Sequence, residues 1–220
     1  MINKEELQLT YLNRFKGMEE YRNRIWKVLV NHFFCKWIPV DSCVLDLGCG
    51  YGEFINNIRA KDRHAMDLNP DTSSLLDHDI HLHHQDCSKP WSIDKDFLDL
   101  IFTSNFFEHL PNKNALDQTI RHAHKHLKTN GRLIMLGPNI AALGGQYWDF
   151  WDHHIPISDQ SANELLELNG FTIEKSIPYF LPYNMVRVRK KPLFLLKLYL
   201  RLPIIWRLFG AQFLIIAKKS

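Results

Sequence analysis

Apolar positions along the chain alternate between helical periods and short continuous runs. Ile25, Val28, Leu29, Phe33 and Trp37 recur close to every 3.6 residues, which predicts a helical N-terminal region over 5–37 within a segment 1–40. Pro39 and Asp41-Ser42 break it. Residues 43–47, Cys-Val-Leu-Asp-Leu, form a short apolar run and predict a buried strand. A glycine cluster follows, then a helical stretch over 52–60. The alternation then repeats, with strands predicted over 64–68, 81–86, 98–104 and 132–136. Helices are predicted from Asp71 and over 112–128, the latter stopped by Thr129-Asn130-Gly131. Ser158 is placed to cap a helix over 159–168, which Asn169-Gly170 terminates. Residues 171–177 and 212–218 read as two last strands.

Strands alternating with helices imply an α/β fold with a mostly parallel sheet. Right-handed crossovers bring the strand C-termini to one edge, where a ligand binds. The 220 residues are 45% hydrophobic and 23% charged, which excludes a disordered chain and suits one domain over 1–220. No repeat interrupts it. The polar start Met1-Ile2-Asn3-Lys4-Glu5-Glu6 has no apolar signal core. No run of about eighteen uncharged apolar residues predicts a membrane span. Cys35, Cys43, Cys49 and Cys87 make no CxxC pair and read as free thiols in a reducing compartment. The expected location is cytoplasmic.

Charge changes this picture near the end of the chain. The net +3 conceals an asymmetry: after Glu174 no acidic residue occurs, whereas ten basic ones do. Residues 1–174 therefore carry −7 and residues 175–220 carry +10. Most of the excess lies in 183–210, an apolar and basic insertion between the last two strands. Lys190, Lys197 and Arg201 are expected to share a helical stripe, and Pro203 to kink or divide the helix. Three partners fit residues 187–209: their own domain or a second subunit, as a homodimer; an anionic membrane surface; or nucleic acid. The acidic body argues against a nucleic-acid track.

The first strand runs into Asp46-Leu47-Gly48-Cys49-Gly50-Tyr51-Gly52, a D-x-G-x-G-x-G pattern between a strand and a helical stretch. The third glycine comes one residue too early for a dinucleotide fingerprint, and no Gly-Lys-Ser/Thr follows for a phosphate loop. Asp46 would repel a phosphate and suits a ligand carrying a cation. Asp67, at the end of the second strand, suits both hydroxyls of a ribose. Asp86-Cys87, after the third, suits an adenine, the acid taking the amino group and the next N–H a ring nitrogen. The ligand implied is adenosine without phosphate, joined to an amino acid.

These segments resemble those of class I S-adenosylmethionine-dependent methyltransferases. Residues 44–54, Val-Leu-Asp-Leu-Gly-Cys-Gly-Tyr-Gly-Glu-Phe, are similar to the family signature, and Ala65-Met66-Asp67-Leu68-Asn69-Pro70 to its second-strand segment. Residues 98–110, through Glu108-His109-Leu110, resemble its fourth strand and turn, and residues 127–139 its fifth-strand approach. The resemblance covers roughly residues 40–180 and implies a Rossmann-like seven-stranded sheet of order 3-2-1-4-5-7-6. The last strand is then antiparallel, with helices on both faces. It further implies S-adenosylmethionine as cofactor, held by Asp46, Gly48, Cys49, Gly50, Gly52, Asp67, Leu68, Asp86, Cys87 and Asn105. Asp46 then lies near the methionine end, and Asp67 on the ribose. A weaker resemblance is to small bacterial methyltransferases of surface-glycan pathways.

Methyl transfer to a hydroxyl needs alignment and a proton acceptor. His109 follows the fourth strand. His153 and His154 follow an aromatic loop whose Tyr147, Trp148 and Trp151 suit a sugar or planar acceptor, and Asp149 or Asp152 stands ready to support a histidine. His122 and His126 share a helix face at a metal-compatible spacing, but no third ligand accompanies them, so surface positions and no metal are expected. His78, His81, His83 and His84 read as a solvated edge. The expected activity is methyl transfer to a hydroxyl of a small molecule, glycan or lipid-linked acceptor. Alternatives are a quinone-type acceptor, or a module that binds cofactor without turnover.

Overall fold

The computed structural model describes residues 17–183 and 190–220. Of the segments discussed above, 1–16 and Arg187 and Arg189 lie outside them. In chain order the elements are α1 (Glu19–His32), β1 (Cys43–Leu47), β2 (Asp62–Met66), β3 (Ile80–His83), β4 (Leu98–Ser104), α2 (Lys113–His126), β5 (Leu127–Pro138), α3 (Asp159–Leu168), β6 (Phe171–Leu181), α4 (Leu193–Arg201), α5 (Pro203–Phe209) and β7 (Gln212–Lys219). The sheet has seven strands in the order β3-β2-β1-β4-β5-β7-β6. β1 to β5 run parallel, and β7 lies antiparallel between β5 and β6. This is the order and hand of strands expected from the resemblance.

The sheet is covered on both faces, which is why its central strands read as apolar runs. Successive residues of a strand point to opposite faces. Val44, Phe102, Ile134 and Leu214 enter one core with Trp26 and Leu29 of α1, Phe34, Phe180, and Leu200 and Trp206 of the insertion. Leu45, Ile101, Leu133 and Ile215 enter the other with Ile120 of α2 and Leu166 of α3. Phe34, fully buried, is ringed by Trp26, Phe33, Phe54, Phe102 and Phe180 at centroid distances of 5.2–6.5 Å.

Two expected helices are absent. Over 52–60 there is only a turn at Ile55–Asn57, and after Asp67 only one at Pro70–Ser74. The cause is side-chain competition for the backbone. Asn56 donates to Leu75 O and accepts from Asp77 N–H, and Asn57 donates to Glu53 O and Asn23 Oδ1. Ser73 and Ser74 donate back to Pro70 O and Asp71 O. β2 and β3 also end earlier than expected, so Asp67 and Asp86 sit in the loops beyond them. Asn130, expected in a helix stop, has φ +66 near the start of β5, which begins directly after α2.

The capping of α3 is as expected: Ser158 Oγ accepts from Ser161 N–H, and Ser161 Oγ accepts from Ser158 N–H. The insertion divides at Pro203, the first residue of α5. Lys190 precedes α4, which Pro192 leads, so only Lys197 and Arg201 of the expected stripe stand on that helix. One side of the insertion is tied down: Tyr199 Oη donates to Phe180 O, and Trp206 Nε1 donates to Tyr199 O. Among the described residues, no helix is long and apolar enough to cross a membrane.

Candidate active site

The glycine loop leaves β1 at the C-terminal edge of the sheet. Gly48, Gly50 and Gly52 have φ of +72°, +53° and +73°, which only glycine adopts without strain. At Gly48 contact adds to conformation, since a Cβ there would lie 2.2 Å from Cγ of Phe106. The turn is held from β2. Gly48 and Cys49 N–H donate to Met66 O at 2.9 and 3.3 Å. Asp67 accepts from Gly50 N–H at 2.7 Å on one oxygen and from Asn69 N–H at 2.8 Å on the other. Each carboxylate oxygen keeps a second acceptor site, so Asp67 can still receive a pair of hydroxyls. Leu68 stands exposed beside it.

The electrostatics of the loop favour a cation. Asp46 is 3% exposed, and burial holds its carboxyl well above the carboxylate range; Asp67 and Glu53 add repulsion, partly offset by the Ile55 N–H. Glu53 is also raised by burial, offset by Arg22 of α1, whose Nε lies 2.8 Å from Glu53 Oε1. Cys49 is buried, and its thiol is pushed far up by desolvation and then by Asp46 and Asp67, so it offers no thiolate. After β4, Asn105 adopts φ +48 with its N–H on Leu136 O. Its Oδ1 is buried without a hydrogen-bond partner among the described residues. A ligand with an ammonium or sulfonium fits this charge pattern, and a phosphate does not.

Asp86 and Cys87 lie beyond β3. Asp86 Oδ1 accepts from Ser88 N–H and Oγ at 2.9 and 2.7 Å, which rigidifies the turn. The Cys87 thiol faces the core, 3.4 Å from Thr119 Oγ1, and burial pushes it up to about 11. The Cys87 carbonyl accepts from Trp91 Nε1 at 2.8 Å, so both its thiol and its carbonyl serve packing.

A second cluster forms where the turn after β4 meets the aromatic loop after β5. The Glu108 carbonyl accepts from His154 N–H at 2.8 Å and Ile155 N–H at 3.2 Å. His109 Nδ1 lies 2.9 Å from Asp152 O and 3.4 Å from Asp152 Oδ2. The His109 and His153 rings stand 5.0 Å apart. His153 is buried and stacks on Phe150 at 5.2 Å, with Nε2 3.3 Å from Tyr183 Oη. Glu108 is buried, and desolvation raises its carboxyl, with His109 opposing.

Three expectations are corrected here. Tyr147, expected to face an acceptor, is fully buried, and its hydroxyl donates to Ile155 O at 2.5 Å, so it anchors the loop. Trp148 and Trp151 do stand out, at 50% and 79% exposure. His154, expected among the bases, is exposed and meets the cluster through its main chain. His126, expected at the surface, is buried and stacks on Trp91 at 5.2 Å. Arg22 and Glu53 were not singled out by sequence. Glu53 carries a weak signal, adjoining the third glycine; Arg22, on a distant helix, carries none.

The sequence comparisons agree with this geometry. A family model described as a methyltransferase domain matches residues 18–176. The chain belongs to the methyltransferase domain family. Solved structures share its fold. An S-adenosylmethionine-dependent methyltransferase from Archaeoglobus fulgidus superposes with a TM-score of 0.67 at 21% identity, covering 96% of this chain and 99% of that one. One from Clostridium acetobutylicum gives 0.65 at 16% identity, covering 97% and 98%. The [4+2]-cyclase SpnF gives 0.60 at 16% identity, covering 90% and 80%, so the fold alone does not fix the reaction. No curated protein matches the sequence.

A cationic ligand favours the ionised form of Asp46, whose carboxyl is raised in the free protein. S-adenosylmethionine binding should therefore weaken as pH falls below that raised value, by up to about tenfold per pH unit. Below it, binding should release a proton. Calorimetry in buffers of different ionisation enthalpy measures both, and Asp46→Asn should flatten the profile.

Proposed function

We propose that this chain transfers a methyl group from S-adenosylmethionine to a hydroxyl of a small molecule or glycan, carried on a lipid at an anionic membrane surface. The observation that carries the transfer reading is one sheet edge on which a cation-favouring glycine loop adjoins a His109–Asp152 pair. S-adenosylmethionine, when bound, supplies a methyl group on a sulfonium. Asp67 suits the ribose hydroxyls, Asp46 and Asn105 the amino-acid end, and the Asp86-Cys87 turn the adenine. The remaining task of the protein is to align an acceptor and take its proton.

His109 suits that task. Its Nδ1 faces a carbonyl oxygen and must carry the ring proton, which leaves the Nε2 lone pair to act as base. Asp152 orients the ring, as a carboxylate does in other histidine bases. Trp148 and Trp151 present faces that suit a sugar ring. His109→Gln should lower methyl transfer by about 10²–10⁴-fold while leaving cofactor affinity within a few-fold, measured by labelled-methyl assay and calorimetry. Unchanged turnover would remove His109 from the mechanism.

The lipid part of the reading rests on α4 and α5. Phe194, Leu198, Ile204, Leu208 and Phe209 are exposed, alongside exposed Lys197, Arg201 and Arg207. Exposed apolar rings and alkyl chains beside cations complement an anionic bilayer. A groove of about 360 Å³ between β6 and α5, lined by Lys175, Tyr179, Pro203, Trp206 and Arg207, offers two cations over apolar walls to a lipid phosphate. The insertion also springs from the edge of the sheet that carries the glycine loop. The protein should float with vesicles containing anionic lipid and not with neutral ones, and Leu208→Glu with Phe209→Glu should abolish flotation. Absence of flotation, with a dimer in light scattering, would assign this face to a second copy instead.

A further inference from the structure

We propose that Glu108, His109 and His153 form a divalent-metal site of zinc type at the acceptor side. One donor atom from each of the three residues lies within 4.8 Å of the others. Two come from the turn after β4 and the third from the aromatic loop, brought together by the bonds from His154 and Ile155 N–H to Glu108 O.

The Glu108 carboxylate is the decisive member. Its side chain is 3% exposed, and Oε1 is buried without a hydrogen-bond partner among the described residues. Such an atom has given up water without gaining a full hydrogen bond. His109 Nε2 faces it at 3.8 Å. Because His109 Nδ1 carries its proton toward Asp152, Nε2 presents a lone pair. The Glu108 oxygen and the His109 Nε2 lone pair therefore face each other across a gap that either a proton or a metal cation fills, and the His153 ring adds the third donor that a metal needs. The Asp152 contact is the outer-shell arrangement that fixes tautomer and orientation in a ligating histidine. His153 supplies a ring nitrogen and is held against Phe150 and Tyr147 at 5.2 and 4.8 Å.

Two imidazoles and a carboxylate suit zinc and its neighbours better than magnesium or calcium. Donors about 2.1 Å from such an ion stand about 3.0–3.5 Å from one another, so the widest gap in the cluster must close by about 1.3–1.8 Å on binding. Three protein ligands leave a position for an acceptor oxygen. This deepens the reading as an O-methyltransferase and rests on it for the role, not for the binding. His109 keeps the role of base in the metal-free protein; with metal bound, its Nε2 lone pair holds the ion instead and the ion takes over activation of the acceptor. The acceptor O–H then ionises at lower pH, its electron pair staying on oxygen and its proton passing to water.

Titration with Zn²⁺ by calorimetry, and with Co²⁺ by visible absorption, tests the site without any cofactor. One ion per chain is expected, with Glu108→Gln and His153→Gln each lowering affinity at least tenfold, folding being checked by circular dichroism. If either variant fails to fold, the wild-type Co²⁺ spectrum decides: intense bands of low-coordinate cobalt support the site, and the weak spectrum of the hydrated ion overturns it. No binding to the wild type would overturn it, as would binding unchanged in both variants, which would move the ion elsewhere, such as the stacked His64, His81 and His83. S-adenosylmethionine binding without metal binding sinks the metal site alone; the reverse sinks the cofactor reading alone.

Discussion

The bond from Gly50 N–H to the Asp67 carboxylate joins the loops after β1 and β2, and the candidate cofactor site depends on it. It exists because three glycines turn the main chain through left-handed conformations that direct N–H groups toward β2. The same turn brings Gly48 against the Phe106 ring, so the loop after β1 also sets the position of the turn after β4. Glu108 and His109 follow two and three residues later. One backbone geometry thus registers the glycine loop and the His109 cluster against each other. A side chain at Gly48 would disturb both.

The acidic character of this edge is costly, and the fold supplies partial compensation. Buried Asp46 and part-buried Glu53 repel each other, and Arg22 of α1 answers Glu53. α1 is itself held by the aromatic cluster around Phe34, which reaches through Phe180 to the insertion helices. The insertion is therefore part of the same packed face that supports the site. Its buried side stabilises α1, and its exposed side leaves cations and apolar groups for another surface. The charge asymmetry of the chain separates in this way into buried acidic groups around the glycine loop and exposed cations on the insertion helices.

The central strands and the glycine loop were legible in the sequence for physical reasons, whereas the strand order came from the family resemblance. Strands covered on both faces read as apolar runs, and a left-handed turn favours glycine. The failures have equally specific causes. The stretch over 52–60 has helical composition, but Asn56 bonds to the distant Leu75 carbonyl and Asn57 to the Asn23 side chain, and these bonds dissolve the helix. Tyr147 and Trp148 are adjacent aromatics, and only the path of the loop decides that one is core and the other exposed. Asp152 was visible beside the histidine pair, yet its ring partner is His109, from another loop. Glu108 looked like a motif position, and its buried oxygen, without a hydrogen bond among the described residues, becomes apparent only when the loops close over it.

The central claim is that the edge of the sheet around Asp67 binds an adenosyl ligand with a cationic amino-acid end. Calorimetric titration of the purified protein with S-adenosylmethionine and with adenosine triphosphate tests it most directly. Saturable one-to-one binding of the former, lost in Asp67→Ala, with no binding of the latter, is the predicted result. Binding of the triphosphate alone, or S-adenosylmethionine affinity unaffected by Asp67→Ala, would contradict it.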